Sequence, residues 1–166
     1  MSAQRFEGKV AIVTGGSMGI GRATALQLAR EGAQVIACAR RMPRLDSLGD
    51  EIAAFDGKFK GVELDIGDID AFAQLISDTA NKYGRLDILV NNAPTVIGGM
   101  ILDQNIEDWR ANFGVCVESV FIGVQAALRV MQPQGSGSII NISSVSSLRA
   151  GLAAGAYSAA KAAVNQ

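Results

Sequence analysis

Apolar residues along this chain fall into two alternating arrangements. Continuous apolar runs at residues 10–13, 34–39, 61–64, 86–90 and 138–142 read as strands that are apolar on both faces. That is the pattern of a parallel sheet covered on each side. Helical spacing fills the intervals. Ile20, Ala23, Leu26 and Ala29 follow Gly19. Phe72, Leu75, Ile76 and Thr79 share a helical face after Asp68, a residue suited to cap a helix start, and Gly84 suits the end of that helix. Trp109, Phe113, Val117, Val120, Val124, Leu128 and Met131 mark one long helix, capped by Asn105, with Pro133 just past its end. A last helical pattern opens at Ala153 and runs to Gln166. The alternation predicts an α/β fold: a doubly wound parallel sheet in three layers, α/β/α, forming one domain over residues 1–166. The last pattern meets neither cap nor breaker. The fold is therefore expected to be incomplete after the fifth strand and the start of the final helix.

Composition changes this picture mainly by exclusion. The 166 residues are 49% apolar and 19% charged, ordinary for a globular chain with a buried core. A net charge of −1 gives no general pull toward nucleic acid or anionic membrane. Apolar runs such as Ile88-Leu89-Val90 are too short to cross a bilayer, and residues 1–9 hold no apolar leader core. The expectation is a cytoplasmic protein with neither nucleic acid nor membrane as partner. The two cysteines, Cys38 and Cys116, have no metal-ligand spacing, and a disulfide is not expected. Histidine is absent, so acid–base work falls to carboxylate, tyrosine, lysine or cysteine.

Thr14-Gly15-Gly16-Ser17-Met18-Gly19-Ile20-Gly21 joins the first strand to the first helix. Gly15 permits a tight turn, Gly19 lets backbone approach a pyrophosphate, and Gly21 lets helix pack close on strand. Phosphates would meet free N–H groups at the helix start. The spacing differs from G-x-G-x-x-G. Thr-Gly-x-x-x-Gly-x-Gly near the N-terminus resembles the short-chain dehydrogenase/reductase family, and the resemblance extends from Phe6 to Gln166. It implies a Rossmann sheet and a nicotinamide dinucleotide bound along Thr14, Gly15, Ser17, Met18, Gly19, Ile20 and Gly21.

The second strand ends Ala37-Cys38-Ala39-Arg40-Arg41. An NAD site wants a carboxylate there for the ribose 2′-hydroxyl, and the position holds Ala39. Arg40 and Arg41 suit a 2′-phosphate instead, so NADP is expected, with NAD as the alternative. Exposed arginines solvating a loop would read the same. By resemblance, Asp65 and Ile66 meet the adenine, and Asn91 and Ala93 of Asn91-Asn92-Ala93 line the cofactor. Pro94 stands where the family has glycine.

Tyr157 and Lys161 are four residues apart and share a helix face. A free phenol, with a pKa near ~10, exchanges protons poorly at neutral pH; an ammonium one turn away favours the phenolate. Ser144 lies thirteen residues before Tyr157. The resemblance implies that Ser144 hydrogen-bonds the substrate oxygen, that Tyr157 is the acid/base, and that Lys161 also reaches the nicotinamide ribose. Tyr157 and Lys161 thereby count as cofactor contacts too. Ser143 is the alternative serine.

Two further features depart from the family. Cys116 stands at the position of an asparagine that holds a relay water, and Asn112, one turn earlier, is out of register. A thiol replaces an amide poorly in such a relay, although Cys116 would also serve as packing. The chain also stops five residues after Lys161, where relatives continue. The expected function is hydride transfer between NADP(H) and a secondary alcohol or ketone, in a homo-oligomer paired through the long and final helices. The alternative is a catalytically weak or inactive truncated dinucleotide-binding or interaction module.

Overall fold

Strand faces alternate with period two, and that alternation builds two cores around one sheet. The computed structural model describes residues 4–166; the first three residues of the polar N-terminal stretch lie outside the described residues. The strands are β1 (Val10–Thr14), β2 (Gln34–Ala39), β3 (Lys58–Glu63), β4 (Ile88–Asn91) and β5 (Ser138–Asn141). They form one parallel sheet in the order β3-β2-β1-β4-β5. On one face, Ala11, Val13, Val35 and Val90 pack under α1 (Gly19–Arg30) and α2 (Met42–Ala53) through Ala25, Leu28, Leu45, Leu48 and Ile52. On the other face, Val10, Ile12, Ile36 and Leu89 meet Phe72 and Ile76 of α3 (Ile69–Tyr83), with Ala127 and Met131 of α5 (Ser119–Gln134). The doubly wound three-layer fold is thus present. The chain reverses direction across the sheet beside β1, so a crevice opens above the C-terminal ends of β1 and β4.

Three local features differ from the apolar pattern. β3 begins at Lys58, three residues before its apolar run, because it is an edge strand whose exposure alternates. No helical face was marked between the second and third strands. There α2 starts with proline in its first turn, where no N–H is required, and buries Leu45, Leu48 and Ile52. Pro133 lies inside the last turn of α5, which ends at Gln134 with Gly135 left-handed at φ 70°.

The long helix contains the largest difference. It runs unbroken from Ile106 to Gln134, as α4 (Ile106–Phe113), a π-helical turn (Gly114–Glu118) and α5. Its buried line is Asn112, Cys116, Ser119, Gly123, Ala127 and Met131. Of the large apolar residues that predicted it, only Met131 joins that line; Trp109 is 36% and Leu128 48% exposed, and Phe121 beside them is 63% exposed. Small residues face the sheet because the helix comes close. A Cβ on Gly123 would stand 2.8 Å from the Phe72 ring and 2.9 Å from the Asn91 side-chain oxygen. An 18-residue stretch of this 29-residue helix has mean hydropathy 1.5, long and apolar enough to cross a bilayer. In this fold it packs on α3, β4 and β5. Caps sit where the sequence placed them: Asp68 accepts from the Ala71 N–H at 3.0 Å and Asn105 from the Asp108 N–H at 2.7 Å.

Carboxylates hold the opposite rim of the sheet. Asp87 accepts from the Val10 N–H at 2.9 Å and from Arg85 and Lys9. Burial pushes its carboxyl up, but these donors outweigh burial and hold it below the ordinary range. Glu31 is bound by Arg5 and by Gln27 at 2.6 Å, and the hydrogen bond from Arg5 leads in pulling it down to about 2 from an ordinary 4.5. A carboxyl whose pKa is lowered by folding stabilises the fold above its unfolded pKa. That contribution is lost as pH falls through the folded value. Denaturation midpoints measured from pH 7 down to pH 2 should therefore hold steady above about pH 5 and then fall. Glu31→Gln should flatten part of that fall, leaving the part due to Asp87.

Candidate active site

The crevice above β1 is built by close backbone approaches. Gly15 has φ 66°, and a Cβ there would lie 2.9 Å from the Cα of Ala93. Gly21 is tighter still: its Cβ would lie 2.4 Å from the Gly15 carbonyl oxygen and from the Asn92 side-chain nitrogen. Only glycine lets α1 start this near to β1 and β4. Thr14 locks the same junction from beneath, its hydroxyl accepting from the N–H groups of Asn92 at 2.9 Å and Ala93 at 3.0 Å.

A cleft of about 630 Å³, open to solvent, lies over this junction. Gly15, Ser17, Met18, Arg40, Arg41, Asp65, Ile66 and Ala93 line it. So do Cys38, Ala39 and Pro94, which flank the residues singled out in the sequence, and Leu64, Thr95 and Val115, which no motif singles out. Burial pushes the Cys38 thiol up to about 12, so it is an inert wall. Thr14, Gly19, Ile20, Gly21 and Asn91 are not in the lining. Asn91 instead turns away, donating to the Asn141 side chain at 2.9 Å across the β4–β5 pair.

The cleft suits a phosphorylated dinucleotide on its own geometry. Met18 precedes α1 without a side-chain cap, and no acidic residue stands in the first turn. The first N–H groups of a helix have no intrahelical partner, and Ser17 and Met18, which lead into this one, line the cleft. A Cβ on Gly19 would meet nothing within 4 Å, so that glycine answers to φ 54° rather than to packing. At the end of β2 the charges are Arg40 and Arg41. The Met18 sulfur lies 3.2 Å from the guanidinium of Arg44 and 4.0 Å from that of Arg41, gathering basic groups at one end of the cleft. Asp65 closes a turn by accepting from the Gly67 N–H at 3.0 Å.

The second group of residues gathers at the C-terminal end of β5. Ser144 caps a 3₁₀ turn (Val145–Ser147), its Oγ accepting from the Ser146 N–H at 3.1 Å. Ser143 is committed differently: its hydroxyl donates to the Lys161 carbonyl at 3.2 Å. α6 (Gly155–Val164) carries Tyr157, half-buried in its first turn, and Lys161, 3% exposed, in its last. The Lys161 ammonium donates to the Ile142 carbonyl at 2.7 Å. Burial pushes Lys161 below its ordinary range. Cys116 is fully buried in the π-helical turn, with Sγ donating to the Thr95 carbonyl at 3.3 Å. The Ser119 hydroxyl, donating to the Val115 carbonyl at 2.6 Å, competes for a helix acceptor beside that turn. Among the described residues no cluster of three or more cysteine, aspartate or glutamate side chains is arranged to hold a metal ion.

Comparison with known proteins agrees with this architecture. A 3-oxoacyl-[acyl-carrier-protein] reductase of Thermotoga maritima is 39% identical over 160 residues, covering 96% of this chain and 65% of that protein. A 3beta-hydroxysteroid dehydrogenase of Mediterraneibacter gnavus is 36% identical over 162 residues, covering 97% of this chain and 58% of that protein. The crystal structure of a metagenomic short-chain oxidoreductase in complex with NADP superposes with a TM-score of 0.92 at 34% identity, covering 96% of this chain and 73% of that one. The chain thus spans 65% or less of the length of these two curated relatives. Residues 9–166 match the short chain dehydrogenase family, and the protein belongs to that family.

Proposed function

We infer that the protein transfers hydride between NADP(H) and a secondary alcohol or ketone. The observation that carries this reading is the cleft itself. It is lined by Gly15, Ser17 and Met18, which lead into the uncapped start of α1, and by Arg40 and Arg41, with no carboxylate, where β2 ends. The NADP bound in the metagenomic relative supports the same cofactor. When bound, the nicotinamide supplies the hydride. Thr14, Gly19, Ile20, Gly21 and Asn91 shape the site from behind, while Tyr157 and Lys161 are assigned to the nicotinamide end.

The protein's own residues handle the proton. Tyr157 donates its phenolic proton to the oxygen that becomes an alkoxide, or takes one in the reverse direction. Lys161 keeps two ammonium protons beyond the one given to Ile142, free for the ribose and for stabilising phenolate. Ser144 orients the substrate oxygen. Its O–H remains available because its Oγ only accepts locally, whereas the Ser143 hydroxyl is spent on Lys161. The two relatives' names, an acyl-carrier reductase and a steroid dehydrogenase, span unlike substrates and leave the class at alcohol or ketone. The exposed stripe of Trp109, Phe121 and Leu128 supports pairing with a second copy. Residues 4–166 act as one domain in this reading, in the cytoplasm.

A second reading, dinucleotide binding with weak turnover, is favoured by one observation. Cys116 spends its thiol proton on Thr95, so it offers no amide to a relay. Ketone-dependent NADPH oxidation separates the two. The cofactor assignment has its own test. Arg40→Asp should weaken NADPH binding about 10- to 100-fold, the worth of one charge-assisted contact, and spare NADH. Unchanged NADPH affinity in a fluorescence titration would refute the assignment.

A further inference from the structure

We propose that Asn112 is a positioning residue that holds the β4–α4 loop and, through it, the start of the helix carrying Tyr157. The proposal rests on the reaction proposed above only where turnover is concerned. Asn112 is 0% exposed on the inner line of the long helix, at a place where an apolar side chain would pack. Its amide is fully engaged. The side-chain oxygen accepts from the Ile97 N–H at 3.3 Å, and the nitrogen donates to the Ile97 carbonyl at 3.0 Å and the Asp108 carbonyl at 2.9 Å. Ile97 lies beyond the end of β4, where the sheet offers it no partner. One carboxamide thus serves both polar groups of that residue, as a neighbouring strand would, and the Gln104 side-chain nitrogen also donates to its carbonyl at 3.2 Å.

The clamp continues past Ile97. Two residues on, the Gly99 N–H donates to the Ala153 carbonyl at 2.8 Å, and Gly99 forms an isolated parallel bridge with Ala154. Ala153 has φ 57°, a left-handed conformation that strains a residue with a Cβ and persists only where its surroundings hold it. Ala154 is the residue before α6, and its carbonyl accepts from the Ser158 N–H at 2.8 Å. A continuous path therefore runs from Asn112 through Ile97, Gly99 and Ala153–Ala154 to the first turn of α6, where Tyr157 sits. The other side of the path is tight as well: a Cβ on Gly98 would lie 2.9 Å from the Ala153 carbonyl oxygen.

The test uses Asn112→Asp, which keeps the shape but loses both donors, Asn112→Leu, and Gly98→Ala, which strains the far end without touching the long helix. Amide hydrogen exchange should speed up at least about tenfold at Ile97 and Gly99 in Asn112→Leu and at Gly99 in Asn112→Asp, whose remaining oxygen can still accept from the Ile97 N–H, while Val35 and Ile36 in β2 stay protected. NADPH affinity should stay within about twofold. In ketone reduction, kcat should fall about tenfold or more in all three variants, since a displaced acid/base group loses rate before it loses cofactor. If an Asn112 variant fails to fold, Gly98→Ala carries the kinetic arm. Unchanged exchange at Ile97 and Gly99 in a folded Asn112 variant would overturn the clamp, as would unchanged kcat in Gly98→Ala alongside faster exchange at Gly99. Absence of turnover in the parent chain would count against the proposed reaction, and the exchange arm would still decide the clamp.

Discussion

Replacing Tyr157 by phenylalanine should lower ketone-dependent NADPH oxidation roughly a thousandfold and leave NADPH affinity within about twofold. The side chain sits half-buried in the first turn of α6, so the lost hydroxyl leaves the ring and the helix in place. The cofactor cleft is lined by the glycine-rich turn and the ends of β2, β3 and β4, and Tyr157 is no part of that lining. The effect should therefore appear in kcat, with binding conserved. Lys161→Ala makes the contrast. It removes an ammonium that is 3% exposed and bonded to Ile142, so it should damage both turnover and the local fold. A Tyr157→Phe protein that keeps its turnover would exclude tyrosine as the proton donor.

Gly21→Ala should be the most damaging single methyl group in the chain. The added carbon would lie 2.4 Å from the Gly15 carbonyl oxygen, a backbone atom that cannot rotate away. It would also lie 2.4 Å from the Asn92 nitrogen, which bonds the Thr14 carbonyl at 2.9 Å. Relief requires α1 to lift from the β1–β4 junction. Overpacking of this kind costs about 2–3 kcal/mol, roughly 5–10 °C in Tm for a domain of this size. Dinucleotide affinity should drop more than tenfold, because the same shift moves the turn that faces the phosphates. Gly19→Ala is the control. Its Cβ meets open space, so only the left-handed φ costs, about 1 kcal/mol. Thermal melts and NADPH titration of the two variants would check the difference. Equal effects would show that conformation, and not the close approach, sets the requirement at Gly21.

Much of this was readable from residue order. Continuous apolar strands and the caps at Asp68 and Asn105 are local properties, and the glycine turn declares the first crossover. The long helix misled for a physical reason. Its bulky apolar positions locate the helix but not its inner side, because close against Phe72 and Asn91 the inner line holds small residues, Ser119, Gly123 and Ala127. Periodicity locates a stripe but does not say which of two stripes faces inward. The cleft-lining residues Thr95 and Val115, which no motif singles out, depend on how a loop folds over the crevice, which no spacing rule specifies. Asn112 stood out only as an asparagine one turn from Cys116. Its partner Ile97 is fifteen residues away, reached only through tertiary contact.

The central claim is a dinucleotide cleft that prefers NADP, and titrating the protein with NADPH and NADH in parallel tests it most directly. Quenching of Trp109 fluorescence or enhancement of cofactor emission reports binding. The account predicts saturable binding of NADPH at least about tenfold tighter than NADH, from one or more charge-assisted contacts to the 2′-phosphate. Equal or tighter binding of NADH, or no saturable binding of either, would contradict it.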